Sequence, residues 1–154
     1  MAEDKKQQNF ISLNTALKLI KFDTDFQMQE ILAGRPTDKH TFVLYSLPGV
    51  GKTQGIRQMV GDSQHICVID INAEFGGSLA MPISHVDEKS QTAQVLHALN
   101  ASIRKLKDHA IKDPTTPHFL FLDEFNRGDE FMKQTIMQLL LENRLPGNSL
   151  QMCL

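Results

Sequence analysis

The string Ser46-Leu-Pro-Gly-Val-Gly-Lys-Thr53 constrains this chain more than any other feature. It follows Thr41-Phe-Val-Leu-Tyr45, whose β-branched and aromatic residues predict a strand. A helix is expected from Lys52 to about Val60, closed by Gly61-Asp62. A strand, a glycine-rich turn and a helix in that order make a phosphate-binding loop. Gly49 and Gly51 allow positive φ and close backbone approach to an anion. Successive N–H groups then point inward, and the helix dipole adds its positive end. In that loop Lys52 reaches the β- and γ-phosphates, and the Thr53 hydroxyl ligates Mg²⁺. Ser46 stands where the pattern has its first glycine; this position opens the loop and accepts a small residue.

A second string carries matching chemistry. Phe119-Leu-Phe-Leu-Asp123-Glu124 is four apolar residues followed by two carboxylates, with Asp123 lying 71 residues after Lys52. A buried strand delivers such acids to the carboxyl end of a sheet, where open α/β folds bind ligands. Asp123 is expected to hold Mg²⁺, and Glu124 to orient and polarise an attacking water. The catalytic candidates are therefore Glu124 and Lys52. The expected metal ligands are Thr53 and Asp123. Pro48, Gly49, Val50, Gly51, Lys52, Thr53 and Gln54 form the expected nucleotide-binding set, with ATP and Mg²⁺ as the cofactors.

The rest of the chain fits an α/β frame. Apolar residues at 10, 13, 17 and 20 predict a short amphipathic helix, and Phe26 to Ala33 another turn or two. Residues 1–9 read as a frayed tail. Ile66-Cys-Val-Ile-Asp-Ile71 is a continuous apolar run, as a parallel strand covered on both faces requires. Gly76-Gly77 and Pro82 mark an irregular stretch, either a simple turn or a substrate-facing loop. Apolar positions 95, 96, 99, 103 and 106 predict one helix across 91–110, and those at 132, 136, 139 and 140 another across 129–142. Pro146-Gly147 makes a turn, and Ser149 to Leu154 begins a further strand. Alternating strands and helices predict a P-loop three-layer sandwich with a mostly parallel sheet.

Composition narrows the function classes. Sixteen basic and eighteen acidic residues give a formal charge of −2, which excludes a strongly basic nucleic-acid module. No basic and aromatic residues interleave, so nucleic-acid contact is not expected. No apolar run approaches a membrane span. The polar N-terminus has no signal-peptide core, so the expected compartment is the cytoplasm. Two cysteines, Cys67 and Cys153, make no disulfide framework. The six histidines show no paired metal-ligand spacing, and His40, His65 and His118 each precede an apolar run.

Together these residues resemble the AAA+ ATPases, and more narrowly the MoxR and midasin/dynein-related branch. The resemblance rests on Leu47-Pro-Gly-Val-Gly-Lys-Thr53, Gly76-Gly-Ser-Leu-Ala-Met-Pro82, Phe121-Leu-Asp-Glu-Phe-Asn-Arg127 and Gln138-Leu-Leu-Leu-Glu142. Arg144-Leu-Pro-Gly147 is similar to the turn that follows in that branch, and the likeness covers roughly residues 35–150. It implies an ATPase core at 35–154 behind a helical extension at 1–34. It also implies a homo-oligomeric ring and a protein substrate or adaptor. In that family a sensor residue, an arginine finger and a helical lid follow the acidic strand; none can be assigned here, so the core reads as incomplete at its C-terminus. Two functions stay open: a hydrolysing ATPase, or a nucleotide-binding interaction module with little or no hydrolysis. The resemblance places Asn126 near the γ-phosphate or a pore-side loop and Arg127 at a subunit interface. The plainer alternatives are that Asn126 caps the next helix and Arg127 is solvated.

Overall fold

The computed structural model describes residues 11–37, 40–71, 79–87, 92–142, 144–145 and 148–149. The expected N-terminal tail, the Gly76-Gly77 motif, the Pro146-Gly147 turn and the chain beyond Ser149 lie outside these residues. The described part is mixed α/β, with four helices and a small parallel sheet of two strands.

Helix α1 runs unbroken over Leu13–Leu32, where the sequence suggested two shorter pieces. Ser12 caps it, its side chain accepting from the Thr15 amide at 3.1 Å. Ile20, Thr24, Gln27 and Met28 form the buried stripe, spaced at helical intervals. The polar stretch Lys21-Phe-Asp-Thr-Asp25 hid this continuity. Thr24 sits inside the stripe because its hydroxyl donates to the Ile20 carbonyl at 2.8 Å.

Helix α2 covers Lys52–Val60, as expected, and ends at Gly61 with φ 82°. It packs on α1 at Gly55, where an added Cβ would lie 2.8 Å from the Leu17 side chain.

Strand β1 (Ile66–Asp70) and strand β4 (Phe119–Asp123) pair in parallel, from Ile66 opposite Phe119 to Asp70 opposite Asp123. Cys67, Ile69, Leu120 and Leu122 face one side of this sheet. There they join Ile103 and Leu106 of α3 (Ala101–Lys112) and Met132, Ile136 and Leu139 of α4 (Glu130–Glu142) in the core. Asp70 and Asp123 point to the opposite side, where Thr53 of α2 reaches Asp123.

Two expectations are corrected. Residues 91–110 are not one helix. Strands β2 (Ala80–Asp87) and β3 (Thr92–Leu99), eight residues each, pair antiparallel, and α3 starts only at Ala101. Asn100 marks the switch, its side chain accepting from the Ser102 amide at 2.9 Å. Residues 92–99 are rich in helix formers, so the long ladder to β2 overrides local propensity here. Among the described residues one strand pairing is parallel and two are antiparallel, against the expected mostly parallel sheet.

The second correction concerns Thr41–Tyr45, which is not a strand. These residues belong to neither strand of the β1–β4 sheet, and Val43 and Tyr45 are 85% and 89% exposed. Extended propensity alone makes no strand without a neighbour to supply the ladder.

Two short strands, β5 (Arg144–Leu145) and β6 (Asn148–Ser149), pair antiparallel beyond α4.

Candidate phosphate-loop site

The loop from Ser46 to Gly51 is built by two left-handed glycines. Gly49 has φ 76° and Gly51 φ 82°. Side-chain-bearing residues adopt these angles only with strain. A Cβ at either glycine would meet nothing within 4 Å, so the loop borders open space. Gly51 is the N-cap of α2, and its carbonyl accepts from the Gly55 amide at 2.8 Å. The first amides of a helix have no intrahelical partner, so they are free to face an anion.

Lys52 folds back over this loop. Its Nζ donates to Ser46 Oγ at 3.0 Å and to the Leu47 carbonyl at 3.4 Å. Ser46, the departure from the glycine pattern, thus supplies an acceptor that glycine lacks. Thr53, the next residue, turns to the sheet. Its Oγ1 donates to Asp123 Oδ2 at 2.5 Å. The two strings recognised in the sequence therefore meet, with the expected metal ligands in direct contact. Asp123 Oδ1 accepts from the Glu124 amide at 3.0 Å, which fixes the carboxylate's orientation.

Glu124 has φ 57° and ψ 32°, a left-handed conformation unusual for a residue with a side chain. Such strain costs of order 1–3 kcal/mol and clusters at functional sites. Its Oε2 lies 2.5 Å from Arg127 Nε. Arg127 is therefore engaged by an acid, rather than simply solvated.

Asn126 lies in a 3-10 turn, Phe125–Arg127. It does not cap α4. Asp129 does, with Oδ1 accepting from the Met132 amide at 2.7 Å. Pro48, Val50 and Gln54 lie on the loop and on the first turn of α2, next to the residues that converge.

Sequence reasoning missed Asp70. It stands opposite Asp123 at the carboxyl ends of β1 and β4. Neighbouring strands are about 4.8 Å apart, so two carboxylates share this end of the sheet. The signal was present: Ile66-Cys-Val-Ile-Asp70, like the acidic string, is an apolar run ending in Asp.

The donor set fits a hard divalent cation, which favours oxygen ligands from carboxylates and hydroxyls. Among the described residues no group of three or more His, Cys, Asp and Glu side chains forms a metal site of its own. An ion here would therefore draw on Thr53 and Asp123 together with ligands from a bound phosphate, as Mg²⁺ does. No described helix is long and apolar enough to cross a membrane. Compared with known proteins, the chain matches no family model, no curated protein and no solved structure.

Proposed function

We propose that this chain binds ATP with Mg²⁺ and hydrolyses it, as a P-loop core resembling the MoxR-like AAA+ ATPases. The observation that carries the reading is the contact between the Thr53 hydroxyl and Asp123 beside the Lys52 loop. Two segments 70 residues apart, each matching half of a nucleotide site, converge on one point.

The residues divide the work as follows. Gly49, Val50, Gly51 and the first amides of α2 cradle the phosphates. Lys52 exchanges its contacts to Ser46 and Leu47 for the β- and γ-phosphates. Thr53 and Asp123 would hold Mg²⁺, which would supply positive charge to the phosphates. Glu124 accepts the proton of the attacking water, which then adds to the γ-phosphorus as ADP leaves. Remodelling of a protein partner, assembly into a ring and a cytoplasmic location belong to the same proposal, and rest on the resemblance of the motifs.

One observation favours a second reading, a nucleotide-binding module with little turnover. Glu124 is held by Arg127 at 2.5 Å, so its carboxylate already has a cationic partner.

Phosphate release and ATP binding by the purified chain, Lys52→Ala and Glu124→Gln separate these readings. A hydrolysing enzyme loses binding in Lys52→Ala. It keeps binding but loses about 10²–10⁴-fold in rate in Glu124→Gln. Binding without turnover in the wild type supports the second reading. Absence of ATP binding, or binding unaffected by Lys52→Ala, overturns both.

A further inference from the structure

A cavity of about 270 Å³ opens between α2, β1 and α3, away from the phosphate loop. It is lined toward the amino end of β1, at Ile66, Cys67 and Val68, whereas Asp70 and Asp123 mark the carboxyl end. At about 3.3 Å per residue, Ile66 lies roughly 13 Å along the strand from Asp70.

The lining is chemically one-sided. Arg57 comes from α2, and Lys105 and His109 from α3. Among the described residues no Asp or Glu side chain lines the cavity. The chain as a whole carries a formal charge of −2, so a cluster of bases without acids is not its average surface. Two acids adjoin lining residues in sequence: Asp62 is turned elsewhere, accepting from the Gln64 amide at 2.8 Å and lying 3.9 Å from His65, and Asp108, beside His109, is not among the residues that line the cavity. Neither Arg57 nor Lys105 makes an ion pair with a described carboxylate. Ser63 and Ser102 add hydroxyl donors at the wall. Beneath them Cys67 and Leu106 form an apolar floor, 6% and 2% exposed. The Cys67 thiol is pushed up to about 11 by burial, so at neutral pH it presents an uncharged surface.

From this arrangement we infer that the cavity binds a small organic anion, a phosphate or carboxylate head on a compact apolar body. Cations and hydroxyls grip the head through charge-assisted hydrogen bonds. The lining is mostly polar, and the floor adds a smaller apolar contact for the body. The Arg57 side chain makes the cavity share a helix with the phosphate loop. Lys52 and Arg57 are five residues apart, roughly 7.5 Å along α2.

Phenyl phosphate is a suitable probe, followed by amide chemical shifts of the full chain. Saturable shifts at 57, 63–68 and 102–109 are expected. Arg57→Ala/Lys105→Ala should weaken binding roughly tenfold or more. Both side chains are exposed, so the variant keeps its fold, which circular dichroism verifies. Lys52→Ala should leave these shifts intact, which separates this cavity from the phosphate loop. Neutral benzyl alcohol should bind more weakly by a similar factor. The inference is overturned by an absence of shifts, by equal response to benzyl alcohol, or by insensitivity to the double variant. Shifts centred on 46–53 that vanish in Lys52→Ala overturn it too, and leave the phosphate-loop reading standing.

Discussion

The Thr53 hydroxyl donates a 2.5 Å hydrogen bond to Asp123 Oδ2, joining the start of α2 to the end of β4. This bond is the point where two distant strings of sequence become one site. A hydrogen bond to a charged acceptor contributes about 1.5–3 kcal/mol. Thr53→Val keeps the shape and removes the donor. Urea denaturation should show a loss in that range, with Thr53→Ser close to wild type. ATP affinity of Thr53→Val should also lose its response to Mg²⁺, measured by titration with and without EDTA.

Arg127→Ala tests the hold on Glu124. The pair is partly exposed, at 56% and 39%, so its removal should cost no more than about 1 kcal/mol. Phosphate release is the informative readout. It should rise as the carboxylate is released to act on water. A fall would show that Arg127 instead aims Glu124 at its target.

Two glycines should respond differently to alanine. At Gly128 an added Cβ would lie 2.7 Å from Ile71 Cγ2 and 3.3 Å from Met132 Cγ. Ile71 and Met132 are both 1% exposed, so neither has room to retreat. Gly128→Ala should destabilise by about 1–3 kcal/mol in chemical denaturation. At Gly55 the obstacle is the tip of Leu17, a flexible side chain. Helix propensity gains about 1 kcal/mol there, so Gly55→Ala should be near neutral.

How far the site was legible in the sequence follows from the range of the interactions. The α2 boundaries, β4 and the meeting of Thr53 with Asp123 were readable, because loop chemistry and apolar runs are local signals. The antiparallel pair Ala80–Asp87/Thr92–Leu99 was not. Its apolar spacing at 95, 96 and 99 also fits a helix, and only the partner strand decides. One sequence alternative places the α4 cap at Asn126, whereas Asp129, immediately before Glu130, is the residue that caps it. The grip of Ser46 on Lys52 and of Arg127 on Glu124 depends on side-chain geometry that no spacing encodes.

Histidine chemistry should tie stability to pH. His118, 3% exposed, gives its Nδ1 proton to the Thr116 carbonyl at 2.7 Å. Its Nε2 lies 3.1 Å from His65 Nδ1 and therefore accepts from it. Burial lowers the His118 pKa, and the nearby His65 and His109 lower it further, against the Thr116 carbonyl and Asp113, which raise it. The unfolded chain then binds the proton more readily than the folded one. Stability is full above the ordinary histidine pKa of about 6.5 and is lost as pH falls through it toward the lower folded value. The denaturation midpoint should drop between pH 7 and pH 5.5, and His118→Gln should flatten that slope. An unchanged slope would reject the assignment.

The unpaired approach to the Ser46–Gly51 loop has a thermodynamic consequence. Residues 41–47 reach Ser46 and Leu47 without a strand ladder, and Val43, Tyr45 and Leu47 stand in solvent. Fixing a residue's backbone costs about 1–2 kcal/mol of entropy. A ligand that holds this loop must order its approach as well. Part of its grip is therefore spent on the protein. Calorimetry of ATP binding should show a favourable enthalpy opposed by an unfavourable entropy.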